Sequence, residues 1–332
     1  MTPNIFKNKI ILVTGGTGSI GSKIVERLLD LEPRQIRVLS RDESKQYDLI
    51  EKYGHPNSLR MFIGDIRDRE RLDLAFKGVD IVFHAAALKH VPFCEYNPFE
   101  AVKTNIVGSQ NVIEAALRHN VWRVIGISTD KAANPVNILG TSKLMMEKLF
   151  INANNYVGSA STRFSCVRFG NVAWARGSVF PLWQNQVKKH KNIDVTDGEM
   201  TRFLMSTVDA CELVLDATKL AKGGEIFILK MPSIKLLDLA ELFINKYHPR
   251  ENIKIKLIGL RPGEKKHEDL LDANLENAEI HEGKKMFIIV PQMEIYGWKG
   301  KKAVYAGFKK ISKQEKYSSE DRINKEKIKD II

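Results

Sequence analysis

Cysteine is scarce in this chain, and long apolar runs are absent from it. The 332 residues include three cysteines, Cys94, Cys166 and Cys211, too few and too scattered for a disulfide framework. No spacing of cysteine and histidine matches a metal site. No apolar run approaches the roughly 20 residues of a membrane-spanning helix, and the first residues lack a signal-peptide layout. We therefore expect buried thiols, no metal, no membrane insertion and a cytoplasmic location.

The charge is strongly basic but spread over the chain. Lysine and arginine number 52 against 40 acidic residues, a net charge of +12. Clusters such as residues 188–191 carry no interleaved aromatic residues for stacking on bases, so they predict a solvated surface with at most nonspecific polyanion contact, and no nucleic-acid partner. Hydrophobic residues make up 43% and charged residues 28%, the proportions of a soluble globular enzyme.

Short β-branched runs alternate with helical patterns from residue 9 to about 170. This order predicts an α/β fold, with successive βαβ units building a doubly wound parallel sheet that has helices on both faces. The strand candidates are residues 9–14, 36–40, 61–64, 81–84, 124–128 and 165–169. After residue 170 the alternation weakens. Helices near 207–218 and 234–247 and strands at 225–230 and 253–257 suggest a smaller lobe.

A glycine-rich turn follows the first strand and opens the first helix. Residues 14–21 read Thr-Gly-Gly-Thr-Gly-Ser-Ile-Gly. In this context glycines let a pyrophosphate approach the N–H groups at a helix N-terminus. The glycine spacing resembles the variant found in extended short-chain dehydrogenases/reductases, which places a dinucleotide here. The candidate contacts are Gly15, Thr17, Gly18, Ser19 and Ile20.

The segment after the second strand favours NADP over NAD. Ser40 is followed by Arg41 and, four residues further on, by Lys45, and these can surround a 2′-phosphate. Asp42 keeps NAD open as the alternative. Two further segments resemble cofactor contacts of the same family. The segment after the third predicted strand matches the family's contact with adenine, and the small residues after the fourth match the place where the cofactor passes close to the backbone. Their candidate residues are Asp65, Ile66, Ala85 and Ala86.

The usual catalytic tyrosine of that family is missing. Its Tyr-x-x-x-Lys pattern pairs a tyrosine, which moves a proton, with a lysine that lowers the tyrosine pKa. Here the lysine is Lys143, but the position four residues earlier is Leu139. Lys143 can still hold the nicotinamide ribose. Either the chain is a cofactor binder without activity, or another residue carries out the acid/base step.

Thr129-Asp130-Lys131 directly follows the fifth predicted strand, at the sheet edge where such folds bind ligands. With its flanking residues, this stretch resembles the UDP-N-acetylglucosamine 4,6-dehydratases that invert C5, including those of capsular polysaccharide synthesis. Matching motifs extend over nearly the whole chain. The resemblance implies a nucleotide-sugar site lined by Lys89, Asn171, Ser178, Val179, Arg202, Arg261 and Glu264.

The resemblance implies NADP-dependent dehydration of a UDP-sugar. C4 is oxidised, Lys131 removes the C5 hydrogen, Asp130 protonates the departing 6-hydroxyl, and hydride returns to C6. For this we expect burial and Lys143 to lower the pKa of Lys131, and we expect a protonated Asp130. The acceptor of the O4 proton stays open among Thr129, Lys131, Lys143 and water.

Several other outcomes stay open. Hydride could return to C4 and leave a 5,6-ene, or the chain could be a UDP-sugar 4-epimerase or an NADP-sensing regulator. Asp130 and Lys131 could also form only a structural salt bridge. We expect a homo-oligomer. We place a cofactor domain at residues 1–172 and mainly a nucleotide-sugar lobe at 173–312, with some segments returning to the sheet. We place a charged tail at 313–332, mobile or packed on a neighbour.

Overall fold

Strands and helices alternate along the first part of the chain. The computed structural model describes residues 4–158, 161–271, 279–290, 304–311 and 316–332. The strands are β1 Ile10–Thr14, β2 Gln35–Ser40, β3 Leu59–Ile63, β4 Ile81–His84, β5 Arg123–Ile127, β6 Arg163–Arg168, β7 Asn171–Val172, β8 Asn192–Val195, β9 Thr201–Met205, β10 Ile226–Leu229, β11 Ser233–Lys235, β12 Lys254–Leu257, β13 Asp269–Leu271, β14 Glu279–Glu282, β15 Met286–Val290, β16 Lys309–Ile311 and β17 Tyr317–Ser318. The α-helices are α1 Ser19–Leu29, α2 Glu43–Lys52, α3 Arg69–Phe76, α4 Val91–Tyr96, α5 Pro98–Ala101, α6 Gly108–Arg118, α7 Ile138–Ala153, α8 Val179–His190, α9 Thr207–Leu220, α10 Leu236–Tyr247 and α11 Lys325–Lys329.

One large sheet organises the molecule. Within the described ranges it has ten strands in the order β16-β14-β15-β10-β6-β5-β4-β1-β2-β3. From β10 to β3 every neighbouring pair is parallel, whereas β15, β14 and β16 extend the sheet with antiparallel pairs. The central strands are apolar on both faces, as in Ile11, Leu12 and Val13, because helices cover both sides. The predicted α/β doubly wound fold is confirmed.

The first helix packs on this sheet as its sequence pattern predicts. Gly21, Ile24, Val25 and Leu28 are the buried residues of α1, and they share one face. The three cysteines are unpaired and buried, as expected. Among the helices of the described ranges, none is long and apolar enough to cross a bilayer.

A second core lies against the smaller sheets. β11, β9 and β7 form a three-stranded sheet, and β12 pairs with β8. Around them, α8 and α10 bury a cluster of aromatic side chains that includes Phe180, Trp183 and Phe243. Strand β10 does not join this lobe but runs parallel to β6 in the large sheet, because its residues Ile226, Phe227 and Ile228 are all buried there.

The last residues fold onto this second lobe. β17 pairs with β13, and Ile328 and Ile332 are buried in the second core. This differs from the expectation of a mobile tail or of one packed on a neighbour. The charged composition of the segment hid its apolar residues, of which Ile328 anchors α11 and Ile332 follows that helix.

Candidate active site

The glycine turn between β1 and α1 has room for a ligand only because its side chains are absent. Gly15 has φ +65°, and a Cβ there would lie 2.7 Å from the backbone N of Ala86. Gly18 is the N-cap of α1, and no side chain caps the helix. The first N–H groups of α1 therefore suit an anionic group, and the turn fits a dinucleotide pyrophosphate.

The residues of the turn also contact the second lobe. The Ser19 hydroxyl accepts a hydrogen bond of 2.9 Å from the backbone N–H of Arg176. Thr17 is buried and Ile20 packs on the large core. The turn is thus hydrogen-bonded to the segment that leads into Ser178 and Val179, two of the residues expected to bind the nucleotide sugar.

Cationic side chains gather at the end of β2. Arg41 is largely exposed, with its guanidinium 3.6 Å from Asp65, and Lys45 pairs with Asp42. Hydrogen bonds from Arg67 to Asp65, together with the charges of Arg67 and Arg41, outweigh burial and lower the pKa of Asp65. These groups fit a phosphate at the adenosine end, although each cation has a carboxylate neighbour.

Ile66 lies in the large core, whereas Ala85 and Ala86 lie against the glycine turn. Ile66 is buried in the large core, beneath Asp65. Ala85 and Ala86 follow β4 and lie against Gly15. The backbone of this alanine pair approaches the turn so closely that only glycine fits at position 15.

Asp130 and Lys131 lie in a short 3-10 turn directly after β5. The Thr129 hydroxyl donates to Asp130 Oδ1 at 2.8 Å, and Lys131 Nζ donates to the same oxygen at 3.0 Å. Asp130 is fully buried, and its Oδ2 has no hydrogen-bond partner in the part of the chain that is described. The predicted pair is therefore in contact, with one carboxylate oxygen unused.

A second carboxylate faces the Lys131 amine. Glu268 Oε1 lies 3.3 Å from Lys131 Nζ, and the Glu268 side chain is almost fully buried. Burial opposes the charge on Lys131, but Asp130 and Glu268 outweigh it and raise the pKa of Lys131. The expectation that burial and Lys143 lower this pKa is wrong, because two carboxylates flank the amine.

Lys143 lies deeper in the protein. Its Nζ donates to the Ile127 carbonyl at 2.6 Å. Burial lowers the pKa of Lys143 to about 8, although Cys166 and Glu147 oppose that shift. One turn earlier on α7, Leu139 is buried in an apolar cluster with Cys94 and Ala101. No protic group replaces the missing tyrosine at that position.

Some of the residues expected to bind substrate meet around α8. Lys89 Nζ donates to the Arg176 carbonyl at 2.5 Å. Burial lowers the pKa of Lys89, and the charge of Arg176 adds to the effect. Ser178 is the N-cap of α8, and its buried hydroxyl has no partner among the described residues. Val179 begins that helix, and Asn171 begins β7.

The remaining expected substrate residues differ in their surroundings. Arg202 on β9 is buried and donates to the carbonyls of Thr201 at 2.7 Å and Lys265 at 2.9 Å. Arg261 is exposed, and its carbonyl accepts from the Glu264 N–H in a turn. The positive charge of Arg202 also acts on Lys131 and disfavours its ammonium form. Arg261 has no such effect on Lys131 in the described ranges.

Comparison with known proteins agrees with these features. A family model described as polysaccharide biosynthesis protein matches residues 11–291. The chain belongs to this family. It is 46% identical over 272 residues to a UDP-N-acetylglucosamine 4,6-dehydratase (inverting) of Campylobacter jejuni, covering 81% of this chain and 79% of the relative. The predicted membership is thus confirmed.

Other relatives of this chain carry different names. One is an uncharacterized membrane protein of Methanocaldococcus jannaschii, 51% identical over 99% of this chain and 96% of the relative. Another is a UDP-glucose 4-epimerase of Rickettsia bellii, 41% identical with the same coverage of 99% and 96%. The crystal structure of Pen from Bacillus thuringiensis is 44% identical, with a TM-score of 0.89 and 98% of each chain covered.

Sequence reasoning missed Glu268 in this member of the family. The residue stands far along the chain from Lys131 and matches no catalytic spacing. The available signal was a pair of adjacent acids, Glu268 and Asp269, directly before the apolar Leu270 and Leu271, where both acidic side chains become buried. A buried acid requires a partner, but only the packing of the lobes identifies that partner as Lys131.

Proposed function

We propose that this chain dehydrates a UDP-sugar in an NADP-dependent reaction, with UDP-N-acetylglucosamine as the substrate. The product would be a 4-keto-6-deoxy sugar nucleotide, inverted at C5, for surface glycan or nonulosonic-acid synthesis. The observation that carries the proposal is the buried Asp130–Lys131 contact at the carboxyl end of β5, on the same edge of the sheet as the glycine turn after β1. The name of the Campylobacter relative, a UDP-N-acetylglucosamine 4,6-dehydratase (inverting), supports the same choice.

The cofactor would lie along the edge formed by β1, β2 and β4. The turn at Gly15 and Gly18 would hold the pyrophosphate, Arg41 and Lys45 the 2′-phosphate, and Lys143 the nicotinamide ribose. When bound, NADP supplies the oxidation at C4 and the later reduction that completes the reaction. NAD is the alternative, since Asp42 lies next to Lys45.

Lys131 and Asp130 would carry out the elimination. Lys131 would take the C5 hydrogen in its neutral form, which it reaches when the proton of the Asp130–Lys131 pair resides on Asp130 and only Glu268 still favours the ammonium. Glu268 then stabilises the ammonium that forms. Asp130 must carry a proton when it acts as the acid, and its unpartnered Oδ2 is the atom open to that proton. Leu139 cannot accept the O4 proton, so Thr129, Lys131, Lys143 and water stay candidates.

Three other outcomes compete with formation of the 4-keto sugar. Return of hydride to C4 would give a 5,6-ene. A 4-epimerase is favoured by the name of the Rickettsia relative, but it makes no use of the Asp130–Lys131 contact. A regulator that only senses NADP would have no reason to bury this pair.

We further propose that the chain works as a homo-oligomer in the cytoplasm. Large apolar side chains are exposed on α4 and α5, as in Phe93, Tyr96 and Phe99. Their number on one short stretch suits a contact with a second copy.

A product analysis tests the dehydratase assignment. Purified protein incubated with UDP-N-acetylglucosamine and NADP should form the keto sugar, identified by mass and NMR. Lys131→Ala should lower the rate by about 10²–10⁴-fold, because the base is removed. Lys189→Ala, on the exposed end of α8, serves as the control and should leave the rate unchanged. Unchanged substrate would refute both dehydration outcomes, and full activity of Lys131→Ala would favour epimerisation.

A further inference from the structure

We propose that Glu268 is a positioning residue that holds the Lys131 amine and stabilises the ammonium formed when Lys131 removes the C5 hydrogen. This inference rests on the proposed function and adds a residue to its machinery. The contact of 3.3 Å between Glu268 Oε1 and Lys131 Nζ carries it, together with the burial of the Glu268 side chain.

The backbone of Glu268 is fixed from two sides. Its N–H donates to the Ser319 hydroxyl at 2.9 Å, and the Ser319 N–H donates back to the Glu268 carbonyl at 2.8 Å. The Ser319 hydroxyl also lies 2.7 Å from the Thr201 hydroxyl on β9. The end of the chain and the second lobe together therefore set the position of this carboxylate.

One oxygen of Glu268 is used and the other is not. Oε1 faces Lys131, whereas Oε2 is buried without a partner among the described residues. A buried carboxylate that only held the fold together would be expected to have both oxygens satisfied. Oε2 therefore takes no part in holding the fold together.

The charges that face Glu268 come from several elements. Lys131 and Asp130 lie on the turn after β5, Arg202 on β9, and Lys265 on the loop before β13. His267 is adjacent in the chain, but its ring bonds to the Thr201 hydroxyl at 2.8 Å, and its other nitrogen lies 3.8 Å from Glu320.

Arg202 opposes the effect of the carboxylates on Lys131. Burial and Arg202 both disfavour the ammonium, whereas Asp130 and Glu268 favour it and prevail. Replacement of either carboxylate by a neutral side chain should therefore lower the pKa of Lys131 and favour its neutral amine.

The elimination shows why a second carboxylate helps. Lys131 Nζ forms an N–H bond as the C5–H bond breaks. The electron pair left on C5 forms the C5=C6 bond, the C6–O6 bond breaks, and O6 leaves as water with the proton from Asp130. Positive charge thus develops on Nζ while Asp130 becomes negative. Glu268 stabilises that charge on a side of the amine that Asp130 does not cover, in a site of low dielectric.

The first test measures the amine itself and needs no turnover. The Lys131 side chain is 19% exposed, so a small acylating reagent can reach it. Labelling is followed by peptide mass spectrometry across a pH series. Glu268→Gln removes a negative charge that favours the ammonium, so Lys131 should become reactive at lower pH than in the wild type. Glu268→Asp, which keeps the charge, should stay near the wild-type profile.

The second test separates the steps of the reaction. With UDP-N-acetylglucosamine in D₂O, Glu268→Gln should still reduce bound NADP. On the plateau above the acid limb, where the amine is neutral in both proteins, it should incorporate deuterium at C5 about tenfold more slowly or worse, a loss that corresponds to one pKa unit of interaction. The acid limb of the rate profile should move to lower pH. The control Glu320→Gln removes a mostly exposed carboxylate and should match the wild type.

The outcomes are distinct. An unchanged labelling profile in folded Glu268→Gln overturns the inference, as does a uniform loss of both half-reactions without a shift of the acid limb. If the wild type does not act on UDP-N-acetylglucosamine, the proposed function fails. Labelling of Lys131 then still decides whether Glu268 controls the amine, and thermal unfolding of each variant identifies any that fail to fold.

Discussion

At the scale of single residues, Lys143 shows a conflict between stability and function. Its amine is buried against the Ile127 carbonyl, and its pKa is lowered to about 8 from the ordinary value of 10.5. Between these two values the unfolded chain binds more protons than the folded chain. The free energy of unfolding should therefore rise as the pH increases through this range, and the penalty is fully present below about pH 8.

Replacement of Lys143 by methionine should stabilise the fold and abolish turnover. Methionine fills a similar volume without a charge to bury, so we expect a gain of about 1–3 kcal/mol in the free energy of unfolding at neutral pH. Denaturant titrations of the wild type and the variant at several pH values measure this gain in the free energy of unfolding. Lys148→Met, at an exposed position on the same helix, is the control. A destabilised Lys143→Met would show that the hydrogen bond to Ile127 matters more than the buried charge.

At the scale of elements, α7 connects the turn of Asp130 and Lys131 to the second lobe. Asn137 caps this helix, with its Oδ1 accepting from the Gly140 N–H at 2.7 Å. Its Nδ2 donates to the Gly263 carbonyl at 2.7 Å, and Lys265 Nζ donates to the Ala133 carbonyl at 2.9 Å. One side chain thus both begins the helix that carries Lys143 and holds the loop that leads to Glu268.

Loss of this cap should have two separable effects. Asn137→Ala should lower the free energy of unfolding by about 1–2 kcal/mol, the usual cost of a lost cap, and should raise KM because the 261–265 loop loses a contact. Asn324→Ala removes a comparable cap on α11, where Asn324 accepts from the Lys327 N–H at 3.0 Å. That control should lose some stability with KM unchanged. Equal KM values in the two variants would contradict the link to the loop.

At the scale of the whole molecule, three distant segments build one site. The turn after β5 supplies Asp130 and Lys131, the second lobe supplies Glu268, and Ser319, directly after β17, supplies the contact that fixes it. The C-terminal segment is therefore part of the site as well as of the second core, in which Ile328 is fully buried.

Weakening of that anchor should affect the whole second lobe. Ile328→Ala should lower the free energy of unfolding by about 2–4 kcal/mol, because a buried side chain is truncated and leaves a cavity. Ile323→Ala, at a position 44% exposed, should change it by less than about 0.5 kcal/mol. Chemical denaturation of both variants provides the measurement. Equal stabilities would contradict the packing of the C-terminal segment on the second core.

The large sheet and the glycine turn could be predicted from the sequence. Local patterns determine them: alternation of apolar strands and amphipathic helices specifies a parallel sheet, and glycines at fixed spacing after β1 specify a tight turn. The position of Asp130 and Lys131 followed in the same way, because the carboxyl end of a strand is read directly from the chain.

Packing between distant segments decided the rest. The partner of Lys131 at Glu268, the direction of the Lys131 pKa shift and the apolar surroundings of Leu139 depend on which lobe surface meets the sheet edge. No local spacing encodes these contacts. The sequence by itself determined which elements form and at which positions the candidate catalytic groups lie, because both depend on local patterns along the chain. Only the tertiary structure decided which charges face the amine, because electrostatic balance depends on distances across the folded chain.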